Sequence, residues 1–175
     1  MTPAGPADTS PAAQFVGFEL DGQQYLFRID RIQEIVTPGR LTRLPEVPAY
    51  VLGVTNLRGT IIPVIDLRRL FGLAPREIDA DTRTIVVTVG GRIVGCTVDA
   101  VSQVIRLAAD QLAAADDTAL TDGPRYVAAF AHVGPGLAIV LDVDQLLDPD
   151  LLDQVHRAGG PVPSVRPSSA GAPPT

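Results

Sequence analysis

Residues 15–36 read FVGFELDGQQYLFRIDRIQEIV, and residues 84–105 read TIVVTVGGRIVGCTVDAVSQVI. The two stretches align without a gap. Asp21-Gly22 falls on Gly90-Gly91, Ile29-Asp30 on Val98-Asp99, and Ile35-Val36 on Val104-Ile105. A second pair follows each of them. Residues 48–71, PAYVLGVTNLRGTIIPVIDLRRLF, match residues 124–147, PRYVAAFAHVGPGLAIVLDVDQLL, with Tyr50 on Tyr126 and Asp66 on Asp142. The chain is therefore read as an internal duplication, with halves near 14–80 and 83–157 and an insertion in the second half around Ala108 to Thr121.

Working outward from the repeat, each half opens with two short apolar runs joined by Asp-Gly or Gly-Gly. These residues accept the positive φ of a two-residue hairpin turn. A third run follows, then a second hairpin turned at Arg58-Gly59 or at Gly134-Pro135-Gly136. Asp66 and Asp142 each sit between an apolar strand and a short helical pattern, Leu67 to Phe71 or Val143 to Leu147, where a carboxylate can accept from free helix amides. Five strands per half predict an all-β fold of two packed five-stranded barrels, with short helices and a C-terminal helix over Asp150 to Arg157. The repeat leaves open whether the halves exchange strands. The ordered domain is expected over 14–157. Residues 1–13 and 158–175, rich in Pro, Ser, Ala and Gly, are expected to be disordered tails.

Composition narrows the function classes. A formal net charge of −6 over 175 residues argues against binding a nucleic-acid backbone. Residues 1–13 contain no apolar stretch of the kind a signal peptide needs, and the apolar window Val51 to Leu67 is broken by Asn56, Arg58 and Gly59. A cytoplasmic protein without direct membrane insertion is the expectation. The single cysteine, Cys96, lies within an apolar run and reads as a small buried hydrophobe.

Catalytic chemistry finds few carriers. The two histidines are His132, before a Gly-Pro-Gly turn, and His156, on the expected terminal helix. No nucleophile-elbow motif accompanies His132, so a hydrolase using it with Asp142 is a weak alternative. One cysteine and two distant histidines do not have zinc-site spacing, and no phosphate-binding loop is present. No catalytic residue, metal or cofactor is expected, and the chain reads as a binding protein.

The duplication also serves as an internal control. Features common to both halves belong to the fold, and features of one half are candidates for function. Arg58 falls against Gly134 and Glu34 against Gln103, so both members of an opposed charge pair are missing from the second half. They are either solvated surface charges or a polar spot on one face of the first barrel. The segment Thr37 to Pro48, TPGRLTRLPEVP, likewise differs from its counterpart. Its Leu41, flanked by Arg40 and Arg43, reads either as an exposed partner contact or as part of a barrel-crossing loop.

The string Gly53 to Arg68, GVTNLRGTIIPVIDLR, resembles the signature of the CheW-like domain. Further likeness runs through Tyr25 to Val36, Leu41 to Pro45 and Val98 to Val104, covering about Gln14 to Leu152. The resemblance implies two SH3-like barrels and a non-enzymatic adaptor of bacterial chemotaxis. Such an adaptor couples the cytoplasmic hairpin tips of methyl-accepting chemotaxis receptors to the regulatory domain of a CheA-type histidine kinase, within receptor arrays at the membrane. By position it implies receptor-binding roles for Ile32, Glu34, Arg58, Gly95 and Val104, and kinase-binding roles for Leu41, Thr42 and Arg43. An adaptor of the same fold in a non-flagellar pathway, such as pilus motility, is the alternative.

Overall fold

The computed structural model describes residues 12–114 and 124–147. The expected terminal helix over 150–157, His156 and the tail over 158–175 lie outside the described residues, as does the tail's N-terminal counterpart up to residue 11.

Eleven strands are present among the described residues: β1 (Ala13–Leu20), β2 (Gln23–Arg28), β3 (Ile32–Val36), β4 (Val51–Leu57), β5 (Thr60–Asp66), β6 (Arg83–Val89), β7 (Arg92–Val98), β8 (Ala100–Leu107), β9 (Leu112–Ala114), β10 (Val127–Val133) and β11 (Gly136–Leu141). Two single-turn helices, α1 (Leu67–Leu70) and α2 (Val143–Leu146), follow β5 and β11. Runs such as TIVV in β6 are rich in β-branched residues, which pack well on a pleated surface. Both opening hairpins turn as the sequence predicts: Asp21 and Gly22 have φ of 53° and 82°, and Gly90 and Gly91 have 56° and 79°.

The strands form two sheets, in the orders β3-β6-β7-β5-β4 and β8-β1-β2-β11-β10-β9. Neither sheet is a contiguous half of the chain. The opening hairpin β1–β2 joins strands of the second half, and β6–β7 joins strands of the first. Each exchange is made by a parallel pairing, Val64 with Gly95 and Val140 with Leu26, at equivalent places in the repeat. Every strand of the five-stranded sheet thus has a counterpart in the other. The extra strand β9 falls within the insertion, where a five-strand count predicted none.

The shared features of the repeat do the same work twice. The amide of Asp66 donates to the Tyr50 carbonyl at 2.7 Å, and that of Asp142 to the Tyr126 carbonyl at 2.8 Å. Each carboxylate then caps its helix, accepting from Arg68 N and Asp144 N at 3.0 Å. Between the sheets lies the main core, with Phe18, Phe27, Ile65, Ile85 and Val87 fully enclosed. Phe18 and Phe27 pack with ring centroids 4.7 Å apart, and Phe71 stacks on Tyr126 across the halves at 5.2 Å. Cys96 is buried in this core, as predicted, and burial pushes its thiol pKa up to about 12.

The chain crosses between sheets at two equivalent points, and the two are held differently. At the β7–β8 crossing, Asp99 is buried and its Oδ2 gathers Arg68 Nη1 at 2.5 Å, Arg76 Nη1 at 3.2 Å and the Asp21 amide at 2.9 Å. Arg68 Nε also donates to the Ala74 carbonyl at 2.8 Å. At the β2–β3 crossing, Arg31 reaches Asp144 on α2, with Nη1 3.0 Å from Oδ1, in a half-exposed pair. The charges are reversed: a basic residue on α1 meets an acidic crossing, and an acidic residue on α2 meets a basic one.

Candidate docking site

Glu34 and Arg58 are brought together. Strand β3 is one edge of the five-stranded sheet, and Arg58 sits in the turn after β4, the opposite edge strand. The Arg58 guanidinium donates through Nη1 to Glu34 Oε2, so the ion pair joins the two outer strands of a sheet that curls on itself. Arg58 has φ of 51° and Gly59 of 88°, the two positive values that a type I′ hairpin turn requires. The side chain of Asn56 supports this turn, its Oδ1 accepting from the Gly59 amide at 2.7 Å. The Arg58 side chain is 71% exposed whereas that of Glu34 is 23% exposed. The pairing raises the Arg58 pKa further above its ordinary value, chiefly through the hydrogen bond to Glu34. It therefore presents a permanent cation anchored at a fixed place.

The other implied receptor-binding residues take different positions. Gly95 is two strands from Glu34 in the same cross-strand row, Glu34 opposite Val86 and Val86 opposite Gly95. It is enclosed: a Cβ there would lie 2.8 Å from Thr84 Cγ2. Ile32 pairs with Val87 and packs against the core between the sheets. Val104 belongs to the other sheet, opposite Val16 on β8, and is 57% exposed. Its counterpart in the repeat, Ile35, is 38% exposed. The ion pair thus links two of the five residues, and Val104 stands on a separate sheet.

Among the implied kinase-binding residues, Thr42 forms an isolated bridge with Val54, its amide and carbonyl both bonded at 2.8 Å. This bridge is the first-half equivalent of β9, whose Ala113 lies opposite Phe130. The close approach needs Gly53 (φ 143°), because a Cβ there would stand 2.2 Å from the Thr42 carbonyl oxygen. Arg43 is exposed, but Leu41 is half-buried and lines an apolar cavity. Of the two readings left open for Leu41, its half-burial beside the Thr42 bridge suits the crossing loop.

That cavity is the feature the sequence reading missed. It occupies about 100 Å³ inside the five-stranded sheet, with Ile62, Val64, Thr84 and Val86 among its walls. In the other sheet the equivalent interior is a packed second core of Phe15, Leu26, Leu107, Ala138 and Val140. The signal was present in the aligned repeat, where Phe15 falls on Thr84 and Leu26 on Gly95. Both replacements remove volume from one interior only.

No group of three or more His, Cys, Asp or Glu able to hold a metal ion occurs among the described residues. His132 is an exposed strand residue opposite Leu137, and Asp142 is engaged as the cap of α2. No described helix is long and apolar enough to cross a membrane.

Known proteins share this arrangement. The CheW-like domain profile matches residues 14–150. Chemotaxis protein CheW of Klebsiella aerogenes is 36% identical over 148 residues, spanning 83% of this chain and 89% of that protein. Chemotaxis protein CheW of Helicobacter pylori is 36% identical over 143 residues, spanning 82% and 86%. The crystal structure of the scaffolding protein TtCheW from Thermoanaerobacter tengcongensis superposes with a TM-score of 0.71 at 31% identity, covering 78% of this chain and 93% of that one. With its duplicated, hairpin-exchanged sheets and a match across nearly all of the described residues, the chain belongs to the CheW-like domain family.

Proposed function

We propose that the protein is a chemotaxis adaptor that couples the cytoplasmic hairpin of a chemoreceptor to the regulatory domain of a CheA-type histidine kinase. The observation that carries the docking site is the Glu34–Arg58 ion pair, present in one half of the duplication and replaced by Gln103 and Gly134 in the other. Unlike the buried Arg68–Asp99 pair, this one leaves its arginine largely exposed. Arg58 is held by Glu34 with most of its guanidinium exposed, suited to bidentate contact with a carboxylate or backbone carbonyls of a partner. Ile32, Gly95 and Val104 are assigned to receptor binding by family likeness, with Gly95 acting through the close approach of Thr84 that it permits. Leu41, Thr42 and Arg43 are assigned to the kinase contact, where the Thr42 bridge gives the segment a defined course over β4. The adaptor works on the cytoplasmic side of membrane receptor arrays and performs no catalysis of its own.

The test is a reconstitution with a receptor signalling fragment and kinase from the same genome. The protein is expected to co-sediment with the receptor fragment and to raise kinase autophosphorylation in the ternary complex. Arg58→Ala is expected to weaken receptor binding about tenfold, as loss of an interface hot spot does. An unchanged activation titration would remove Arg58 from the site.

A further inference from the structure

The hollow inside the five-stranded sheet has no counterpart in its packed twin, although the lining positions correspond. Val64 stands where the other sheet has Val140, and Leu41 where it has Leu112, but Thr84 and Gly95 replace a phenylalanine and a leucine. The walls are mainly apolar: Ile62, Val64 and Val86 are buried and line it directly, with Thr55, Thr84 and Thr97 among them. Exposed Gly39, Asn56 and Ile78 also line it, so the space reaches the surface. Its edge leads toward the proposed docking site, although neither Glu34 nor Arg58 lines it. Asn56 and Leu57 lead into the Arg58 turn, and Glu34 lies in the same row as the lining residues Val86 and Val64.

We infer that this cavity receives one aliphatic side chain of the docked receptor hairpin, borne close to a carboxylate that meets Arg58. The inference rests on the docking reading above and names what the partner must present. Charge and polarity set that chemistry. The exposed guanidinium near its edge calls for an anion, and the mainly apolar walls call for hydrocarbon. Size sets the rest. An apolar cavity of about 150 Å³ admits benzene, so the ~100 Å³ here suits a branched aliphatic side chain rather than an aromatic ring. Thr84, which lines the space where the twin has Phe15, is then a specificity-determining residue.

The experiment fills the cavity from its own wall. Val86→Leu and, independently, Val64→Leu are titrated by calorimetry with a receptor cytoplasmic hairpin fragment, beside Arg58→Ala and with thermal midpoints recorded. The filled variants are expected to keep or raise the midpoint and to bind the hairpin at least tenfold more weakly, while binding of the kinase regulatory domain is unchanged. If a filled variant remains folded and binds the hairpin like the wild type while Arg58→Ala is weakened, the cavity is not an acceptor. Loss of kinase binding in place of hairpin binding overturns the inference equally. If Arg58→Ala also binds like the wild type, the docking reading itself has failed.

Discussion

The interiors of the two sheets began from one repeat and differ in what fills them. In the six-stranded sheet, Phe15, Leu26, Leu107 and Val140 close into a packed core with small alanines between them. In the five-stranded sheet, the same positions leave about 100 Å³ empty. That space opens to the surface beside Gly39, Asn56 and Ile78. The same sheet carries the Glu34–Arg58 pair, which the other lacks. That asymmetry is the ground on which docking is assigned to the five-stranded sheet.

The largest effect that would break this contrast comes from the packed copy. Phe15→Ala should destabilise by about 4 kcal/mol, read from the urea midpoint at an unchanged m-value, whereas Thr84→Ala at the equivalent place should cost well under half of that. Similar losses at the two positions would show that the second interior is not held by its phenylalanine.

Next in size is the contrast between the two crossings. Arg68→Ala leaves Asp99 buried with only Arg76 and the Asp21 amide, and should cost about 3 kcal/mol in chemical unfolding. Arg31→Ala, at the half-exposed and charge-reversed pair, should cost less than about 1 kcal/mol. Equal values would mean that burial does not distinguish the crossings.

Filling the hollow works in the opposite direction. Val86→Leu should stabilise by about 1 kcal/mol through recovered apolar contact, measured by thermal unfolding. A loss of stability would mean that the cavity walls cannot take an added methylene group. The smallest effect on the fold is expected at Arg58, where replacement by Gly, the residue of the second half, suits the positive φ. Arg58→Gly should leave the unfolding midpoint essentially in place while receptor binding falls, so binding and stability separate at that residue.

Much of this was legible in the sequence. The repeat gives the five strands of the first half and all of the second but β9, the turn glycines and the capping aspartates, because each depends on local backbone conformation or on alternation along a few residues. Burial of Cys96 followed from its apolar neighbours. The missing counterparts singled out Arg58 and Glu34, and the structure joins the two side chains. The exchange of hairpins was not legible, since a repeat is satisfied equally by sheets within the halves and between them. Only long-range pairings distinguish the two: β5 with β7, β2 with β11, β3 with β6 and β1 with β8. The two readings of Leu41 stayed open because flanking arginines say nothing about which face a bridged segment presents. The cluster at Asp99 draws on residues 21, 68, 76 and 99, too far apart in the chain for any local pattern.

Methyl NMR of the protein titrated with a receptor hairpin tests the central claim most directly, because it reads both interiors in one experiment. The largest shifts are expected at Ile32, Ile62, Val64 and Val86, with Val140, Leu107 and Leu26 nearly unmoved. Shifts confined to the packed sheet, or none in either at saturating hairpin, would contradict the assignment of docking to the first copy.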